Sequence, residues 1–208
     1  MNSQLTTTNI NNRLTGAAAV AGPILVLAST VAYVTVGGGL NEGELGGALQ
    51  VWAFAALGLA ILGLARTVER SVPGTAVLLS VLAVIGAAVG GGFGIDSMQA
   101  AVNGTEPLAH SSEPAVVLGL LLPGLLAPIS LVVLGVTLAR HGNAGVRGWL
   151  LAGGALLFPV SRIPDVAAIA IVSDLLIVAS MGSIGLQLLT GRDRSTLSTV
   201  PAPTAVSA

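Results

Sequence analysis

The chain has no cysteine and no lysine. Without thiols there can be no disulfide framework, no thiolate nucleophile and no Cys-based zinc or iron–sulfur site. All eight cationic side chains are arginine, which together with the Ala, Gly and Val bias points to a GC-rich bacterial genome. Charge is scarce: 8% of the residues are charged, against roughly a quarter in soluble domains. The net charge of -1 excludes nucleic-acid binding by the whole chain, which needs clustered cations to neutralise phosphate. Aromatics make up 3%, too few for a cation-binding cage, although Tyr33, Trp52 and Trp149 fit interfacial anchors. No HExxH, phosphate-binding loop or Ser/His/Asp set is present. No cofactor or metal is therefore expected, and an intramembrane enzyme is the third-ranked reading, because the acids present have no convincing acid/base partner or nucleophile.

What remains is apolar. Hydrophobic residues supply 53% of the chain, so most of it is expected to be solvated by lipid. A spanning helix needs about 20 mostly apolar residues, and six stretches approach that length: 14–36, 45–65, 74–95, 115–139, 146–163 and 166–189. The fold class read from them is an all-α integral membrane protein, a bundle of six transmembrane helices over residues 14–190. Residues 1–13 and 191–208 read as disordered cytoplasmic tails. The first apolar run is long enough to be retained rather than cleaved. The turn at 162–165 is so short that helices five and six must be antiparallel neighbours.

Cytoplasmic loops retain positive charge. With both termini inside, Arg13, Arg66, Arg70, Arg140, Arg147, Arg192 and Arg194 are cytoplasmic and Arg162 alone is outside, while Glu42, Glu44, Asp96, Glu106, Glu113 and Asp165 gather on the outer side. The location implied is the bacterial cell membrane. Ala21-Gly22-Pro23-Ile24 and Leu126-Ala127-Pro128-Ile129 echo each other, as do Trp52 and Trp149, and Val72-Pro73 and Ile163-Pro164. Three helices per unit would make this an inverted 3+3 repeat, an arrangement found in transporters.

Asp174 is the most informative residue. It lies about eight residues into the sixth helix, roughly 12 Å below the outer end at 1.5 Å per residue. A carboxylate at that depth is costly and marks a functional site by default; with Ser173 beside it, the bland reading is an interhelical hydrogen bond. Counting back across the turn, Gly153 and Gly154 fall at the same depth and should leave space there. Pro123 and Pro128, which break the fourth helix, could line a cavity. Arg162 is expected to snorkel outward and join an outer polar cluster with Asp165, Asp96, Glu113 and His110. The spacing of His110 with Glu106 and Glu113 matches no metal-ligand pattern. Gly86, Gly90 and Gly94 form a small-residue stripe suited to helix packing.

Two functions are compatible with these residues. The first is binding or transport of a small or lipidic molecule at a polar site comprising Asp174, Ser173, Gly153, Gly154, Pro123 and Pro128. The second is a non-catalytic structural subunit that works through helix packing, as a homo-oligomer or with another membrane protein. The partners expected are thus the lipid bilayer and either a small ligand or a second protein.

Overall fold

The computed structural model of the chain describes the backbone of residues 2–142 and 144–191, and side-chain surroundings from residue 10 onward. The tail expected from 191 lies outside the described residues apart from Gly191. All the long elements are helices: α1 (Asn2–Thr35), α2 (Glu44–Val68), α3 (Pro73–Asn103), α4 (Pro114–His141), α5 (Val146–Arg162) and α6 (Ala167–Thr190). Five contain segments long and apolar enough to cross a membrane, Ile10–Thr35, Glu44–Val68, Pro73–Asn103, Pro114–His141 and Ala167–Thr190. The stretch counted above as the fifth span, Val146–Arg162, has 17 residues, the lower limit of what can span.

Three boundaries differ from the sequence reading. Helix α1 begins at Asn2, so the polar segment read as a tail is helical and continuous with the apolar part. Helix α3 runs on to Asn103 instead of ending near Ile95. It continues because its polar residues there find partners: Ser97 donates to the Asn41 carbonyl at 2.6 Å, and Asp96 accepts from the Ala109 backbone N–H at 3.1 Å. Helix α4 is not regular. Proline has no N–H to give the preceding turn and its ring crowds that turn, and just before Pro123 the backbone widens into a π-turn at Val117–Leu121, with a second irregularity at Leu125.

Consecutive helices pack side by side, and α6 returns to pack against α1. The six helices therefore close a ring with alternating directions. The helix ends carrying Arg66, Arg140 and Arg147, and the turn with Arg70, lie at one end with the start of α1 and the end of α6. The opposite, acidic end carries Glu42, Glu44, Glu106, Glu113 and Asp165.

Apolar burial cannot draw helices together in lipid, so close backbone approach must. Gly16 of α1 sits against Gly185 of α6, Gly47 of α2 against Gly94 of α3, and Gly135 of α4 against Gly148 of α5. Gly86 meets Ala127 of α4, and Gly90 receives the Phe54 ring of α2, so the expected stripe on α3 does serve packing, on two neighbours at once. Leu57, Ile61, Leu64, Leu131, Leu134, Leu151, Ile177 and Met181 fill the middle of the ring. Outward, Leu59, Val81, Val84, Leu156, Leu175 and Leu186 stay exposed, the band of apolar surface a bilayer would cover.

A side chain at a glycine crossing should be far more damaging than one at a glycine facing outward. A Cβ at Gly148 would lie 2.5 Å from the Gly135 oxygen and 2.6 Å from the Ala139 nitrogen, whereas one at Gly153 meets nothing within 4 Å. Gly148→Val is expected to lose about 1–3 kcal/mol to overpacking, and Gly153→Ala to gain up to about 1 kcal/mol from helix propensity; thermal unfolding in detergent reads both. Equal melting temperatures for the two variants would contradict the close α4–α5 crossing.

Candidate functional site

Near the acidic end, four helices send polar side chains into the ring. Asp174 of α6 and Thr30 of α1 are buried, and the Arg162 side chain of α5 is only 10% exposed. The Thr30 hydroxyl donates to Asp174 Oδ2 at 2.5 Å and accepts from Arg162 Nη2 at 2.5 Å. Arg162 Nη2 also lies 3.4 Å from the same carboxylate oxygen. The Arg162 guanidinium rests over the Phe158 ring, 4.5 Å from its centroid, a cation–π contact, and Phe158 in turn meets Phe54 edge-on at 6.5 Å. Beside this group Tyr33 donates to Gln50 Oε1 at 2.9 Å, and Gln50 Nε2 donates to the Gly90 carbonyl at 3.2 Å.

The outward snorkelling expected of Arg162 is therefore not what the chain does. Helical side chains lean toward their own N-terminus. In α5 that direction points from the acidic end into the bundle; in α6, which runs the other way, it points from the middle back toward the acidic end. Counting depth along Cα positions separates Arg162 and Asp174 by more than a turn of helix, and the opposed leans of the two side chains close that gap. The pairing also keeps a carboxylate in apolar surroundings from being uncompensated, which is the costly state.

The rest of the expected outer cluster does not pair with Arg162, although His110 and Asp165 line the same cavity. Asp165 Oδ1 accepts from the Leu40 N–H at 2.9 Å, Asp96 holds the Ala109 N–H, and His110 faces Glu42 at 3.8 Å. Glu113 is exposed in the loop. Tyr33, expected at the interface, is fully buried, whereas Trp52 and Trp149 are exposed as anchors should be.

Of the inner residues, Ser173 donates to the Gly154 carbonyl at 2.8 Å. That bond stitches α5 to α6 and uses up the hydroxyl. Gly154 packs on Leu176 and Ile177, and Gly153 faces open space outside the ring rather than Asp174.

At the acidic end the ring encloses a cavity of about 320 Å³. Its apolar walls include Phe54, Phe93, Phe158, Leu122, Leu125 and Pro128, and its polar lining includes Gln50, Arg162, His110 and Asp165. Pro128 thus lines it as expected, while Pro123 is not among the lining residues and acts only through the bend it imposes. Asp174 is not in the wall either; Arg162 stands between it and the cavity. A wider recess of about 1010 Å³, lined by Val36, Glu42, Ser97, Met98 and Glu106, also opens at the acidic end, and a smaller hollow of about 200 Å³, with His141 and Gln187 in its lining, lies at the arginine-rich end beyond the apolar core. Among the described residues no group of three or more His, Asp or Glu could hold a metal ion.

Comparisons with protein-family models, with curated proteins and with solved structures found no match. The site's chemistry accordingly has to be argued from its own geometry.

Thr30, Gln50 and Phe158 escaped the sequence reading. Gln50 is the one buried amide of α2, set in an apolar run, and that isolation was a usable signal. Thr30 gave none, because a threonine in a membrane helix ordinarily satisfies itself on its own backbone. Removing one member of the ion pair leaves the other buried without its counter-charge, typically a loss of about 3–5 kcal/mol, whereas apolar replacement of both is often near neutral. Asp174→Ala is therefore expected to lower the unfolding temperature sharply, and the Arg162→Met/Asp174→Leu double variant to recover most of the loss. A double variant less stable than Asp174→Ala would contradict the pairing.

Proposed function

We propose that the chain is a multi-pass protein of the bacterial cell membrane that binds or transports a small or lipidic molecule in the acidic-end cavity. In this reading all six helices cross the bilayer, and the end holding Arg66, Arg70, Arg140 and Arg147 is cytoplasmic by the positive-inside rule. The alternating helix directions are compatible with an inverted relation between α1–α3 and α4–α6.

The observation that carries the reading is the cavity itself: a hollow of about 320 Å³, mostly apolar, with a few convergent polar groups at one wall. That is the usual composition of a ligand site. Its position supports a lipidic ligand. The outer part of α4, from Pro114 to Gly124, packs mainly on α3, and the cavity lining draws on both sides of the seam between α4 and α5, where Leu122 and Ile163 are exposed. A molecule dissolved in the bilayer would meet the cavity there. The polar site thereby moves from Asp174 itself to Arg162, with Asp174 and Thr30 behind it. The glycines offered as grounds for a structural subunit are largely consumed within the ring, which weakens that second reading.

Filling the cavity tests the proposal. Leu125→Trp places an indole among the lining residues. In wild type, apolar probes with fewer than about a dozen heavy atoms, such as indole and 1-octanol, are expected to raise thermal stability, by about 2.7 kcal/mol at a concentration 100 times the dissociation constant. The filled variant should show no such rise. Equal responses from both proteins, or none from wild type, would refute a site in this cavity.

A further inference from the structure

We infer that the ligand of the acidic-end cavity is a free monocarboxylic acid with a compact apolar body, and that Arg162 receives its carboxylate. This rests on the reading of the cavity as a binding site and adds the chemical class of what enters it.

The inference begins from an imbalance of hydrogen bonding. Arginine carries five N–H donors in a rigid planar fork, and its preferred partner is a carboxylate held by two parallel bonds. Arg162 has no such partner. Its hydrogen bonds to Thr30 and Asp174 all run through Nη2, the contact to Asp174 is a single one at 3.4 Å, and Nε is buried without any partner. The side chain is nine-tenths buried, with 10% exposure, and forms part of the cavity wall. Nε is closed off from the cavity and Nη2 is shared with Thr30 and Asp174, so it is the Nη1 side of the guanidinium, without a hydrogen-bond partner, that is left to receive a carboxylate.

Asn41 also lines the cavity with a neutral amide; the remaining polar groups do not compete for that role. The Gln50 amide is committed to Tyr33 and Gly90. Asp165 is the lining group that opposes an anion, but it is exposed at the rim and turned to the Leu40 N–H, where solvent screens it. His110, beside Glu42, also belongs to the rim. Charge is thus graded from acidic rim to cationic wall, and the wall is the desolvated position at which electrostatic attraction is stronger.

The size and lining fix the rest of the molecule. With about 30 Å³ per water-sized group, 320 Å³ holds on the order of ten heavy atoms. Phe54, Phe93 and Phe158 offer those atoms aromatic faces and edges, and Leu122 and Leu125 complete an apolar chamber. A short-chain fatty acid or a compact aryl acid matches both the volume and the surface.

The experiment uses the full chain in nanodiscs of zwitterionic phosphatidylcholine, titrated calorimetrically with octanoate, methyl octanoate and octylamine, with empty nanodiscs subtracted. Wild type is expected to bind octanoate at least tenfold more tightly than the ester, with the amine weakest. Arg162→Gln should reduce octanoate to the level of the ester. Asp174→Asn removes the carboxylate that competes for Arg162 while leaving the arginine in place, so octanoate should bind several-fold more tightly and the ester unchanged. Equal affinity for acid and ester in wild type, or an acid preference that survives Arg162→Gln, would overturn the inference while leaving the binding site itself intact. Should the variants at Arg162 and Asp174 fail to fold, the wild-type comparison decides: octanoate binding no tighter than methyl octanoate overturns it. Binding of none of the three probes to wild type would overturn the site and the inference together.

Discussion

The ion pair between Arg162 and Asp174 is the constraint around which the acidic end of this bundle is arranged. Two charges taken out of water are tolerated only when each compensates the other and the remaining donors and acceptors are met. Here compensation is incomplete: Thr30 bridges the pair from a third helix, while Asp174 Oδ1 and Arg162 Nε have no partner. The pair itself lies within the α5–α6 hairpin, and its bridge through Thr30 forms when α1 meets α6, where Gly16 lies against Gly185. Ring closure thus adds the Thr30 hydroxyl to a pair that the hairpin already neutralises, and the cavity lies on the side of the arginine that this arrangement leaves open.

Glycine and proline divide the remaining work. Where two helices must touch along their length, paired glycines bring backbone to backbone, as at Gly135 and Gly148. Where they must stay apart, proline intervenes. The irregular outer half of α4 leans on α3, and the space this leaves toward α5 becomes cavity instead of core. The apolar middle of the ring has neither device and is filled by leucine, isoleucine and methionine. Hollows at both ends with a packed waist between them follow from this distribution of residues along the helices.

The helical class and the long apolar segments were legible in the sequence because lipid demands length and apolarity, and both are visible in composition. Asp174 stood out for the same reason, as an expensive group at depth. What stayed hidden was direction. Arg162 belongs to the turn by position but to the interior by the lean of its side chain, and the two helices it connects run opposite ways. Gly153 and Gly154 show a related limit: depth was read correctly for both, but only Gly154 faces α6, because one residue turns the helix by about 100°. The tail at 2–13 was misread because polarity along a sequence says little about backbone continuity. Once apolar turns follow, the helix of α1 extends back through them.

The twelve-residue separation of Arg162 and Asp174 bears on how such a chain enters a bilayer. At 17 residues, and with an arginine at its far end, α5 is the least favourable of the helices to insert by itself. In the arrangement proposed above it need not do so. The tight turn at 163–166 lets α5 and α6 enter as a hairpin that brings its own counter-charge, so the arginine and aspartate are partnered by chain connectivity before any other helix is in reach. Biogenesis of this bundle would then proceed by helix pairs, with α5 dependent on residues that follow it in the sequence.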